Sequence, residues 1–207
     1  MMLVIGLTGS IAAGKTEVSK LFSAAHVPVF DADAEVHRIY RNKSVVKMLA
    51  KHFPEAINDG EIDRQVLGRI VLSDATKLKT LEALIHPLVR TQREEFIVKW
   101  KKENARFVVM DIPLLYETDQ SKDVDYVVVV STPENIQRER ALARPGMTTE
   151  KLAGILCRQV PDSKKREYAD FIIENASSLD QLGKQVDALI GKFNAMSKDP
   201  KHERNRP

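Results

Sequence analysis

The stretch Gly9-Ser10-Ile11-Ala12-Ala13-Gly14-Lys15-Thr16 satisfies every fixed position of the pattern Gly-x-x-x-x-Gly-Lys-Ser/Thr. It follows Val4-Ile5-Gly6-Leu7, an apolar run that reads as a buried strand. It leads into Lys15 to Ala25, which reads as a helix. Strand, glycine-rich loop and helix in this order make a phosphate-binding loop, and each residue type has a physical reason. Gly9 and Gly14 permit backbone angles and close approach that a β-carbon forbids. The loop, with Ala12 and Ala13 in its turn, then aims successive N–H groups at phosphate oxygens. The helix beginning near Lys15 adds the positive end of its dipole. Lys15 carries a point charge to the β- and γ-phosphates, and the Thr16 hydroxyl is a ligand for Mg²⁺. The motif implies binding of a nucleoside triphosphate. It does not say what receives the phosphoryl group.

Outward from the loop, Val27-Pro28-Val29-Phe30 reads as a second short strand, its proline placing it at a strand start or an edge. Phe107 to Met110 and Tyr126 to Val130 are continuous apolar runs that suit parallel strands covered on both faces. Phe171-Ile172-Ile173 is a short last strand and Leu179 to Phe193 a final helix. Five strands alternating with helices predict an α/β domain with a mainly parallel sheet. Between the second and third strands, Asp31 to Phe53 and Asp63 to Leu72 have helical spacing, separated by an Asp59-Gly60 turn. Leu78, Leu81 and Ile85 form another helical stripe, which His86-Pro87 is expected to interrupt before an amphipathic Val89 to Lys102. The segment from about Val36 to Leu88 therefore reads as a helical insert without a clear strand. Its expected place is over the carboxyl edge of the sheet, where such folds bind ligands.

Two carboxylates, Asp31 and Asp33, follow the second strand, at the edge where an acceptor belongs. Phosphoryl transfer to a hydroxyl needs a group that orients the hydroxyl and takes its proton, and a carboxylate can do this. The competing reading for each is an ordinary helix cap, stronger for Asp31 than for Asp33. His37 lies one helical turn after Asp33 and reads either as an acceptor contact or as a surface histidine. Asp111 ends the third strand, the place at which an acid holds Mg²⁺ in phosphate-loop enzymes. Pro113 stiffens the following turn, and Leu114 and Leu115 read first as packing residues. His86 reads as part of a helix break or of the acceptor site.

From Gln137 to Arg166 the chain has eight basic residues against three acids. Arg140 and Arg144 are four apart, and Arg144-Pro145-Gly146 reads as the end of a helix that starts with Thr132 as cap and Pro133 at its first position. Thr148 or Thr149 is expected to cap the next helix. A hinged helical pair rich in arginine suits a lid over nucleotide phosphates, spanning about residues 137–166. With 207 residues the chain reads as one domain, and 43% hydrophobic with 29% charged residues excludes collagen-like, disordered and disulfide-scaffold classes. Lys+Arg of 32 against Asp+Glu of 29 is too even to argue for nucleic acid. The basic segment also lacks interleaved aromatic residues. One cysteine, Cys157, cannot pair internally and favours a reducing, cytoplasmic setting. No run approaches the ~20 apolar residues of a membrane span. Residues 197–207 have no apolar side chain and read as a disordered tail after a domain of residues 1–196.

Taken together these residues resemble the dephospho-CoA kinase family. Its N-terminal signature stands here as Gly6-Leu7-Thr8-Gly9 through Thr16, followed by Asp31-Ala32-Asp33, by His86-Pro87 and by Asp111-Ile112-Pro113-Leu114-Leu115-Tyr116-Glu117. The lid arginines Arg140 and Arg144, then Gln159, and the ending Ala169-Asp170-Phe171-Ile172-Ile173-Glu174-Asn175 complete the likeness, which covers about residues 2–195. Ser10, Glu17 and Pro145 depart from the usual residues. Glu17 leaves its backbone N–H for the α-phosphate but puts a side-chain contact in doubt. The resemblance implies transfer of the γ-phosphoryl of ATP to the ribose 3′-hydroxyl of dephospho-CoA, the last step of coenzyme A synthesis. It implies Asp33 as the base or hydroxyl-orienting group, Lys15, Arg140 and Arg144 on the moving phosphoryl group, Thr16 and Asp111 on Mg²⁺, and Asn175 with the lid around adenine. It implies an acceptor side that includes His37, with His86, Pro113 and Leu114 as further candidates. The fold implied is a three-layer P-loop domain with sheet order 2-3-1-4-5, and a monomer is plausible. A nucleoside or nucleotide kinase fits less well, because Asp111-Ile112-Pro113 is not the Asp-Arg-aromatic motif of those enzymes. A guanine-nucleotide switch fits poorly, because Asn42-Lys43-Ser44-Val45 lacks the aspartate of a base reader.

Overall fold

The computed structural model describes residues 1–198. The chain runs β1 (Leu3–Gly9), α1 (Lys15–Ala24), β2 (Val29–Asp31), α2 (Ala32–Ile39), α3 (Lys43–Ala50), β3 (Ile57–Asn58), β4 (Glu61–Ile62), α4 (Arg64–Leu72) and α5 (Ala75–Lys102). It continues through β5 (Phe107–Asp111), β6 (Tyr126–Ser131), α6 (Glu134–Leu142), α7 (Thr149–Leu156), α8 (Asp162–Tyr168), β7 (Phe171–Glu174) and α9 (Leu179–Met196). The described residues divide into two compact units, one of residues 1–30 with 100–198, the other Asp31–Lys99.

In the first unit five strands form one sheet in the order β2-β5-β1-β6-β7. Counting only these five strands along the chain, the order is 2-3-1-4-5. β1 pairs in parallel with both β5 and β6, and β6 with β7. Every residue of β5 is buried, and so are the last five of β6. That is why both read as unbroken apolar runs instead of alternating ones. One face carries Ile5, Leu7, Val109, Val128, Val130 and Ile173 against Val18 and Phe22 of α1 and Leu182, Val186 and Phe193 of α9. Phe193 meets the rings of Phe107 at 5.3 Å and Phe171 at 5.2 Å. Burying one such side chain stabilises by about 1.5–3 kcal/mol. This core fixes the carboxyl ends of β1 and β5, from which the loop and Asp111 project.

The second unit packs α2 to α5 around Ile39, Val45, Leu49, Phe53, Leu67, Val71 and Ile85. Two expectations fail here. The segment holds a hairpin, β3 with β4 antiparallel, closed by Asp59 at φ 49° and Gly60 at φ 77°. Both turn residues occupy the left-handed region that a two-residue hairpin turn requires. His86-Pro87 does not end a helix, for α5 continues through Pro87 for 28 residues. Proline removes one N–H and crowds the preceding turn. Leu84, Ile85, Leu88 and Val89 pack into the same core on both sides of it and hold the helix together.

Candidate active site

β1 delivers the chain to Gly9, where a β-carbon would stand 2.6 Å from the Val130 carbonyl oxygen. The loop then turns through Ala12 at φ 60°, and the Ala13 N–H donates to the Ser10 carbonyl at 3.1 Å. Gly14, at φ 95°, is the residue before α1. A β-carbon there would lie 1.8 Å from the side-chain nitrogen of Asn175, so only glycine fits. The Asn175 amide donates to the Ala13 carbonyl at 2.8 Å, a buried contact that braces the loop. The first N–H groups of α1 have no partner within the helix and face the same end as the dipole's positive pole. The Glu17 N–H is already given to the Gly14 carbonyl at 3.0 Å, and its carboxylate accepts from Lys20 at 2.8 Å.

Lys15 donates through Nζ to the Asp111 carboxylate, an ion pair at the foot of the loop. Asp111 is buried, while Thr16 is exposed on the first turn of α1. Register explains the pairing, since Asp111 lies opposite Leu7, just before the loop. A hydroxyl and a carboxylate are hard oxygen donors of the kind Mg²⁺ takes, and the side chains of Thr16 and Asp111 fit that ion. Among the described residues no cluster of three or more His, Cys, Asp or Glu forms a cage of its own. A Mg²⁺ that keeps waters and takes phosphate oxygens needs no such cage.

Residues between β6 and β7 also contact the loop. α6 starts at Glu134, one residue later than expected, because Pro133 adopts φ −52° and ψ 142° and occupies the capping position. Thr132 is thereby not a cap, and its hydroxyl donates to the Asn175 carbonyl at 2.9 Å. Arg140 donates to that same carbonyl at 3.0 Å. Arg144 stands two residues beyond α6 and is exposed. Thr148, not Thr149, caps α7. Ala141 of α6 and Leu152 of α7 pack with Ala12 of the loop, and Ile11, Leu142 and Met147 add to the cluster. Behind it, Glu117 Oε1 accepts from the Val160 N–H at 2.8 Å and lies 2.8 Å from the ammonium of fully buried Lys165. Arg166 bridges Ser131 and Glu174, and its hydrogen bond to Glu174 raises its already high proton affinity.

The structure thus brings Gly9, Gly14, Lys15, Thr16, Asp111, Asn175 and Arg140 to one end of the sheet. In the second unit, the Asp31 carboxylate caps α2 by accepting from Ala34 at 2.9 Å. Asp33 is the second residue of α2, exposed, and His37 is exposed on the same helix. His86 is exposed on α5. The Pro113 carbonyl accepts from Thr8 at 3.0 Å, and Leu114 is 43% exposed while Leu115 is fully buried. Sequence reasoning did not single out Gln137, whose partner lies 126 residues away, or the Glu117–Lys165 pair. No local pattern signals either contact.

Residues 3–181 match the family model described as dephospho-CoA kinase. A dephospho-CoA kinase of Mesorhizobium japonicum is 49% identical over 192 residues, which is 93% of this chain and 97% of that protein. One of Agrobacterium fabrum is 45% identical over 195 residues, covering 94% of this chain and all of that protein. Among solved structures, TT1252 from Thermus thermophilus superposes with a TM-score of 0.81 at 34% identity, covering 92% of this chain and 97% of that one. A dephospho-CoA kinase from Campylobacter jejuni gives 0.73 at 27% identity, covering 94% and 98%.

Proposed function

The chain belongs to the dephospho-CoA kinase family, and from that premise we propose the division of labour among its residues. The enzyme transfers the γ-phosphoryl group of ATP to the ribose 3′-hydroxyl of dephospho-CoA, giving coenzyme A and ADP. The observation that carries this reading is that the matched residues 3–181 contain the phosphate loop, Asp31-Ala32-Asp33 and Asp111 to Glu117 together.

The loop from Gly9 to Thr16, through Ala12, Ala13 and Gly14, holds the triphosphate, while the Glu17 N–H stays with the Gly14 carbonyl. Asn175 serves the nucleotide by bracing the loop and bordering the base. Lys15 exchanges Asp111 for the β- and γ-oxygens. Thr16 and Asp111 would hold Mg²⁺, which when bound would supply positive charge against the phosphate charge. Arg140 and Arg144 stabilise charge on the moving group, an effect worth about 10³–10⁵ in rate where an arginine does this alone. Asp33 orients the acceptor hydroxyl and takes its proton. Asp31 is held in its cap, whereas Asp33 is exposed on the first turn of α2. His37, His86, Pro113 and Leu114 serve the acceptor. No helix among the described residues is long and apolar enough to cross a membrane. We place the reaction in the cytoplasm, carried out by a monomer whose proposed groups all lie on one chain.

Purified protein with ATP, Mg²⁺ and dephospho-CoA is expected to yield 3′-phosphorylated product, seen as the mass of one added phosphate. Omitting Mg²⁺ is expected to abolish turnover. No product from dephospho-CoA, with turnover on a nucleoside or nucleotide in its place, would overturn the acceptor assignment.

A further inference from the structure

The peptide groups of Ile11 face two glutamines from the lid region. Its N–H donates to Gln159 Oε1 at 3.0 Å, and its carbonyl accepts from Gln137 Nε2 at 2.8 Å. Gln137 lies on α6 and is 8% exposed. Gln159 is half-buried between α7 and α8. The chemistry of the backbone leaves no freedom in how the two amides point, because an N–H needs an acceptor and a carbonyl needs a donor. The Ile11 side chain sits in the apolar cluster formed by Ala141, Leu142, Met147 and Leu152. Gln159 is itself held in place, since the next residue, Val160, donates to Glu117, whose carboxylate also pairs with buried Lys165.

We propose that Gln137 and Gln159 are positioning residues for the nucleotide phosphates: as a two-point clip on Ile11 they set the path of the phosphate loop from the lid side. The clip has a direct consequence for the cradle. The Ile11 N–H is directed at Gln159, so the amides available to phosphate begin later in the loop. Asn175 fixes the far side through the Ala13 carbonyl, so residues 11–13 are held from both ends. Loss of either glutamine leaves an Ile11 backbone group without its partner and lets the loop shift. Small displacements of that kind are costly where phosphate oxygens must be met by several donors at once.

The proposal rests on ATP binding at this loop, so it is tested first by calorimetric titration with Mg·ATP in the absence of acceptor. Gln159→Met and Gln137→Met are each expected to weaken binding by about tenfold or more, and to raise KM for ATP without a matching change in KM for dephospho-CoA. The decisive comparison is the same substitution at both positions. Gln159→Glu keeps an acceptor for the Ile11 N–H and is expected to bind Mg·ATP at least about fivefold tighter than Gln159→Met. Gln137→Glu has no donor for the Ile11 carbonyl and is expected to do no better than Gln137→Met. Both glutamates add the same charge, so repulsion of phosphate alone predicts equal losses. Equal losses, or a Gln159→Met variant that binds Mg·ATP as the wild type does, would overturn the clip. Should Gln137→Glu not fold, the Gln159 pair decides alone. Wild-type protein that binds Mg·ATP but does not phosphorylate dephospho-CoA would sink the acceptor reading and leave the clip standing.

Discussion

Asp31 and Asp33 are two residues apart and have different surroundings. The first is bound into the N-terminus of α2, and the second is exposed on its first turn. Removing charge from Asp33 therefore costs no cap. Asp33→Asn is expected to lower kcat by at least about 10²-fold, the usual contribution of a general base, with ATP affinity and Tm nearly unchanged. Steady-state kinetics with calorimetry checks it, and near-wild-type turnover would remove Asp33 from the mechanism. The loop residues were readable at this scale because their chemistry is local, with glycine, lysine and hydroxyl at fixed spacing. Asn175 was readable only as part of a family likeness. Its contact with the Ala13 carbonyl spans 162 residues, and nothing local announces it. The same holds for Arg140, whose four-residue spacing from Arg144 suggested a shared face. The structure ties Arg140 to the Asn175 carbonyl and leaves Arg144 exposed past the end of α6.

Elements were legible in proportion to their length and burial. β5 and β6 could be read directly, because strands of five and six residues buried on both faces have no other apolar pattern. β3 and β4 could not, since two residues each show no period. Only the Asp59-Gly60 turn between them was visible. α5 misled in the opposite direction, because proline inside a helix is a local cost that tertiary packing can override. Pro87 is exposed while its neighbours Ile85, Leu88 and Val89 pack inward. Pro87→Ala restores a backbone donor to α5 and is expected to raise stability by about 1–2 kcal/mol, part of the ~3 kcal/mol helix penalty of proline being offset by lost rigidity in the unfolded chain. Denaturant titration measures this. Unchanged KM for dephospho-CoA in the same variant makes Pro87 a feature of helix architecture alone, whereas a several-fold rise in KM makes the His86-Pro87 segment of α5 part of acceptor binding.

At the scale of the whole molecule, two units with separate cores imply two separable responses to ligands. The phosphate loop, Asp111, Gln137, Gln159 and Asn175 all belong to the unit of residues 1–30 and 100–198, and Asp33, His37 and His86 to Asp31–Lys99. A ligand that binds only the native state stabilises what it touches, by about 2.7 kcal/mol at a hundred times its Kd. Regions of low stability register such binding as slowed amide exchange. Mg·ATP alone is therefore expected to slow hydrogen exchange in residues 9–18, 137–160 and around Asn175, with little change in α3 and α4. Dephospho-CoA alone is expected to slow exchange within Asp31–Lys99, beginning with α2. The division follows from the proposed roles, since the amides and cations proposed for phosphate lie in one unit and the proposed base in the other. Exchange mass spectrometry with each ligand separately reads both halves of the prediction. Dephospho-CoA that protects the phosphate loop and leaves α2 unaltered would remove the Asp31–Lys99 unit from acceptor binding, and with it the role of Asp33.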